Sequence, residues 1–183
     1  MQIEQVAGIA GALIFRPTPH VDERGFFSRT FDRDVVKQAG LDPDAFVQDS
    51  ISRSRRGVVR GMHIRAGAGE AKLVRCSYGA VLDVVVDLRP DSPTYRQRET
   101  FDLTGENQVT VYVPAGCAHG FQALADGSEL LYQHTGPYTP DCEDGVRYDD
   151  PHLAIRWPLP ATCVSARDLA FRSLDAAFER MHA

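Results

Sequence analysis

QDSISRSRRGVVRGMHIRAGAGEAKLVRC, residues 48–76, decides how this chain is read. It sets Arg60, His63 and Lys72 on two strand-like runs joined by a glycine-rich turn around Gly67 and Gly69. A second strand-like segment, residues 111–122, contains PAGCAHGF (114–121) and supplies His119, while LLYQH (130–134) adds Tyr132. Cationic, imidazole and phenolic side chains carried on strands suit a pocket that binds an anion and moves protons on a small molecule. These segments are the candidate active site.

Outward from this stretch, turn signals recur along the chain: Pro17 and Pro19, Gly57, Gly79, Pro90 and Pro93, Gly105, Pro114 and Gly116, Gly127, Pro137 and Pro140. Between them lie short runs of β-formers at 73–78, 81–88, 98–103, 109–113 and 130–134. Short strands at close intervals with Gly/Pro turns predict a sandwich or barrel. Two helices are expected. One spans 31–39 and ends at Gly40; the other spans 165–181, with Phe171, Leu174, Phe178 and Met181 on one apolar face. Ser165 and Asp168 at its start have the form of a capping box. The expected fold is mainly β, an antiparallel barrel with short helices, mainly C-terminal. No repeat or low-complexity linker divides residues 1–183, so one domain is expected.

The chain has 183 residues, 43% hydrophobic and 25% charged, enough to bury a core. Its net charge of −5 argues against general affinity for nucleic acid or an anionic membrane. An anionic ligand therefore needs a local cluster, and Arg53, Arg55, Arg56, Arg60 and Arg65 provide one. Residues 6–15 are apolar but too short to span a membrane, and they lack a basic leader. Cys76, Cys117, Cys142 and Cys163 show no close-paired spacing. The expectation is a cytoplasmic protein with reduced thiols.

Strand alternation complicates the central motif. In a straight strand Arg60 points with Met62 and Ile64, and His63 points the other way. For both to reach one ligand the strand needs a bulge, and Gly61 is where a bulge forms most easily. Lys72, opening an apolar strand, reads locally either as a snorkelling edge residue or as an ammonium aimed at a developing oxyanion. Tyr132 is equally a half-buried aromatic or a proton donor. Pro114, Gly116 and His119 match half of a cupin metal pattern. The other half needs a His-x-His pair, and His63 is followed by Ile64 and Arg65. A cation in a ligand position opposes a divalent metal, so no metal is expected.

Taken together the motifs resemble the dTDP-4-dehydrorhamnose 3,5-epimerase family, the dTDP-sugar epimerases, which have a cupin-like jelly-roll barrel. The resemblance is carried by DERGFF (22–27), FVQDS and SRSRRGVVRGMH (within 46–63), AKLVRC (71–76) and VLDVVVDLRPDSPTY (81–95). It continues through VPAGCAHGF (113–121), ELLYQHTGPYTP (129–140) and GVRYDDPHLAIRWP (145–158). It implies cofactor-free epimerisation of a dTDP-linked 4-keto-6-deoxy sugar, whose keto group acidifies the neighbouring C3 and C5 protons. By that resemblance His63 is the base and Asp168 fixes its tautomer, Lys72 holds the enolate oxygen, and Tyr132 delivers a proton from the other face. Arg24 and Arg60 bind the phosphates, with His119 and Gln48 as further ligand contacts. Phe27 and Tyr138 flank the nucleotide base. A homodimer with residues 1–15 against the partner is also implied.

Several positions depart from the usual pattern. Arg29 stands for Glu, Ser50-Ile51 for Asn-His, Ile64-Arg65 for an aromatic followed by Gln, and Gln133 for Lys. The first two bear on the substrate and leave His63, Lys72, Tyr132 and Asp168 intact. The alternatives are a single-carbon epimerase on a related nucleotide sugar, a metal-dependent cupin oxygenase, or a non-catalytic binder.

Overall fold

A computed structural model of the chain describes residues 1–65, 69–137, 139 and 142–176. The strands are β1 (Gln2–Gln5), β2 (Leu13–Arg16), β3 (His20–Asp22), β4 (Gly25–Phe27), β5 (Gln48–Ser54), β6 (Val59–Arg65) and β7 (Lys72–Tyr78). They continue with β8 (Ala80–Asp87), β9 (Arg98–Thr104), β10 (Thr110–Val113), β11 (Cys117–Ala123), β12 (Ser128–His134) and β13 (Glu143–Gly145). One sheet runs β1-β2-β10-β7-β12-β5 and the other β13-β6-β11-β8-β9, with β3-β4 as a separate hairpin. The named strand pairs are antiparallel. The turn spacing predicted a sandwich or barrel, and the architecture is the cupin-like antiparallel jelly-roll barrel that the family resemblance implied. The segment 111–122 divides at Pro114 to Gly116, where proline and a glycine at φ +81° interrupt pairing and separate β10 from β11.

Three apolar clusters explain the burial pattern. Val74, Cys76, Val85, Val111, Phe121 and Leu130 fill the space between the sheets. Met62, Ile64, Val84, Val86 and Leu88 lie in a second cluster with Val146, Leu153 and Leu174 from the C-terminal segment. Strand β8 therefore contributes to both, through Val85 on one side and Val84 and Val86 on the other. A strand covered on both faces needs a continuous apolar run, which is why DVVVD lacks simple alternation. The third cluster sets Leu13, Phe15 and Leu73 against Phe31 and Val35, beside the helix α1 (Arg33–Gln38). Asp32 caps α1 by accepting from the Asp34 and Val35 N–H groups, and Gly40, at φ +79°, follows its end.

The C-terminal helix departs from expectation. Helix α2 covers only Ala166–Leu169. Arg172 then forms a bridge with Val146, and Phe171 packs edge-on against His63 with centroids 5.8 Å apart. These tertiary contacts override the 3.6-residue apolar periodicity that predicted an unbroken helix. Helical geometry resumes at residues 174–176, and Leu174 is buried as its spacing implied. Phe178 and Met181 lie outside the described residues.

The four cysteines are free thiols, with Cys76 and Cys117 buried. Among the described residues no helix is long and apolar enough to cross a membrane.

Candidate active site

The bulge predicted at Gly61 is present and organises the site. His63 pairs with His119 and Arg60 with Phe121, so two residues of β6 lie opposite the single Gly120 of β11. His119 and Phe121 share one face of β11, and the extra residue brings Arg60 and His63 onto that face. Gly61 adopts φ +128°, and a Cβ there would sit 2.6 Å from the Gly120 Cα. Only glycine meets both conditions.

The bulge also holds Asp168. The Gly61 N–H donates to Asp168 Oδ2 at 3.0 Å, and Asp168 Oδ1 lies 3.0 Å from His63 Nε2. Ser165 caps α2 by accepting from the Asp168 N–H at 3.0 Å. Asp168 is thus fixed by its backbone at the helix start and by its carboxylate at the bulge. Burial alone would raise its pKa. The hydrogen bond and charge of His63, together with the Gly61 N–H, outweigh that and hold it well below the usual carboxylate range.

His63 borders a cavity of about 430 Å³ between the two sheets, lined also by Arg60 and His119 from its own sheet and by Lys72 and Tyr132 from the other. Gln48 of β5 also lines it. Tyr132 Oη is 3.1 Å from Ser52 Oγ, and burial raises its pKa, so the phenol keeps its proton across the neutral range. His119 Nε2 lies 2.7 Å from Asp83 Oδ1, and both side chains are buried. Burial lowers the His119 pKa against the opposing pull of Asp83. Burial likewise lowers that of Lys72, opposed by Glu70, Glu143 and Asp83.

Not every expected residue joins this cavity. Arg24 and Phe27 belong to the β3–β4 hairpin; both are exposed, and Arg24 pairs with Asp22 on the same hairpin. One chain therefore does not bring them to the pocket. Tyr138 lies outside the described residues. Among the described residues, no three His, Cys, Asp or Glu side chains are grouped as a metal ion would require.

Sequence reasoning missed three charged groups that line the cavity: Arg167, Glu70 and Glu143 of β13. Arg167 Nη2 is 3.1 Å from His63 Nε2 and its Nε is 3.3 Å from Asp168 Oδ1, placing a half-exposed cation beside the dyad. Its only sequence signal was adjacency to Asp168. Glu70, two residues before Lys72, carries its side chain into the cavity among Arg65, Lys72 and His134. Strand alternation extended one step upstream of β7 would have put Glu70 and Lys72 on one side.

Residues 7–176 match the family model described as dTDP-4-dehydrorhamnose 3,5-epimerase. The chain is 41% identical over 161 residues to a dTDP-4-dehydrorhamnose 3,5-epimerase of Pseudomonas aeruginosa, covering 87% of this chain and 89% of that one. It is 42% identical over 162 residues to a dTDP-4-dehydrorhamnose 3-epimerase of Streptomyces niveus, covering 88% and 78%. Among solved structures it resembles a dTDP-6-deoxy-D-glucose-3,5-epimerase from Legionella pneumophila in complex with dTDP-4-keto-L-rhamnose. That likeness has a TM-score of 0.89 at 39% identity and covers 95% of this chain and 93% of the other.

Proposed function

The chain belongs to the dTDP-4-dehydrorhamnose 3,5-epimerase family, and from that premise we propose that it epimerises a dTDP-linked 4-keto-6-deoxy sugar at C3 and C5. The observation that carries this reading is that His63, held from behind by Asp168, borders the same cavity as Lys72 and Tyr132. The 4-keto group makes each neighbouring C–H acidic, and the ring nitrogen of His63 not held by Asp168 removes the proton. The electron pair moves onto the keto oxygen, where the Lys72 ammonium stabilises the enolate. Reprotonation at the same carbon from the opposite face inverts it, with Tyr132, a protonated phenol, as the donor. Arg60 and Arg167 are the cavity's guanidinium groups and suit the diphosphate, while Gln48 and His119 contact the ligand.

The β3–β4 hairpin exposes Val21, Phe26 and Phe27. We read it as a contact between two copies, carrying Arg24 to the phosphates and Phe27 to the base in the partner's cavity. Tyr138 is the second base-flanking aromatic in this reading. A monomeric mass in sedimentation equilibrium at micromolar concentration would remove the dimer.

Incubating the enzyme with dTDP-4-keto-6-deoxyglucose in heavy water tests the chemistry directly. Deuterium is expected at C3 and C5 of the product sugar, and its absence would rule out the proton-transfer mechanism. The similarity to a 3-epimerase gives a specific second reading, in which only C3 exchanges and inverts. Tyr132→Phe sharpens the assignment by removing only the hydroxyl. Exchange through His63 is expected to continue while at least one inversion fails, so that a single epimer or deuterated starting sugar accumulates. Unchanged yield of the doubly inverted sugar would eliminate Tyr132 as the donor.

A further inference from the structure

Three groups crowd the carboxylate of Glu70. Arg65 Nη1 lies 2.8 Å from Oε1, His134 Nδ1 3.1 Å from Oε2, and Lys72 Nζ 3.8 Å from Oε2. All four side chains are largely buried, from 9% to 17% exposed. The distances differ in kind. At 2.8 Å Arg65 donates a charge-assisted hydrogen bond, whereas 3.8 Å is beyond hydrogen-bond range and leaves an attraction through space. Among the described residues this is the only ion pair of Lys72.

From this geometry we infer that Glu70 is a positioning residue for Lys72, holding it as an ammonium ion inside the cavity while its N–H groups stay available to a substrate oxygen. The inference rests on the proposed role of Lys72 at the enolate. A buried amine tends to shed its proton because water no longer solvates the charge. A neutral amine would be a poor partner for an enolate. A carboxylate in direct contact would solve the first problem and create a second, by occupying the N–H groups. Glu70 avoids both because Arg65 takes its short bond.

The other groups near Lys72 leave Glu70 the main counter-charge. Glu143 on β13 and Asp83 on β8 also favour the charged amine, but Asp83 is already bonded to His119. Arg65 on β6 opposes it. The other titratable groups lining the cavity among the described residues are Arg60 and His63 on β6, His119 on β11, Tyr132 and His134 on β12, and Arg167 on α2. Burial would raise the Glu70 pKa, but His134, Lys72 and Arg65 together hold it below the ordinary value, so Glu70 is charged at neutral pH.

The chain contains two lysines, Lys37 and Lys72. Lys37 is exposed on α1, which makes it an internal reference. With lysine labelled by carbon-13 at Cε, NMR gives two resonances whose pH midpoints can be followed separately, assigned by Lys37→Arg. Glu70→Gln is expected to lower the Lys72 midpoint by about 1 to 3 pH units and leave Lys37 unmoved. Arg65→Gln should shift it the opposite way, upward, and serves if the Glu70 variant does not fold. In turnover, Glu70→Gln should move the alkaline limb of kcat to lower pH with KM little changed. An unmoved Lys72 midpoint in Glu70→Gln, or a fall in Arg65→Gln, overturns the inference. Lys72→Met judges the underlying mechanism separately: wild-type turnover in that variant would remove Lys72 from the chemistry whatever the titration shows.

Discussion

His63→Ala is expected to abolish deuterium wash-in at C3 and C5 while leaving the protein folded, a loss of about two to four orders of magnitude in rate. The fold should tolerate the change because His63 sits at the cavity wall, with its side chain 24% exposed and outside the three apolar clusters. The rate should not tolerate it, because the other candidates for the base are unsuited. Tyr132 holds its proton across the neutral range, and His119 is fully buried against Asp83. In the proposed mechanism Lys72 serves as the cation at the enolate. Wash-in near the wild-type rate in a folded His63→Ala protein would eliminate the mechanism, and circular dichroism with thermal melting separates this from unfolding.

Asp168→Asn should be nearly as damaging to turnover, lowering kcat by roughly 10²–10⁴-fold. The amide keeps the shape of the side chain but removes the charge that orients the imidazole and stabilises it when it takes up a proton. The same substitution carries a pH signature in stability. The folded-state pKa of Asp168 is depressed, so the carboxylate contributes stability above the ordinary carboxylate range and loses it as pH falls through and below that range. Wild-type protein should therefore exceed Asp168→Asn in Tm at neutral pH, with the gap narrowing on acidification through about pH 4 and below. If Asp168 served only to begin α2, Asp168→Asn would alter kcat little. Ser165→Ala, which removes the cap's acceptor, would then be the more harmful change.

How much of this was legible in the sequence varied with the physical scale of the signal. The strands could be read because glycine and proline punctuate them and β-branched residues fill them. His63, Lys72, His119 and Tyr132 were found because each interrupts an apolar strand with a chemically active side chain. Gly61 was found by contradiction, since Arg60 and His63 could not share a face without it. The helix from 165 to 181 misled because Phe171 and Leu174 fit one apolar stripe, although Phe171 packs against His63 and Leu174 against the second cluster. Glu70 was passed over as part of a glycine-rich turn, and its three partners come from β6, β7 and β12. Alternation carried upstream from Lys72 would have put Glu70 beside it, but nothing local announces His134, 64 residues further on. Arg24 and Phe27 were grouped with the pocket residues, while one chain carries them on a separate hairpin.

The two-against-one pairing of β6 and β11 has a consequence for how relatives of this protein diverge. Replacing the Gly61 codon alone would leave every reactive side chain encoded, in order and at unchanged spacing. A Cβ at that position meets the Gly120 Cα, so the strand is driven back to strict alternation, and at a spacing of three residues the guanidinium and the imidazole then project from opposite surfaces. Such a protein could pass an inspection of its reactive residues and still grip its ligand without transforming it. Within this scaffold one unreactive glycine is as informative as the reactive letters around it, and gene variants altered at that position are where loss of catalysis with retained ligand binding should first be sought.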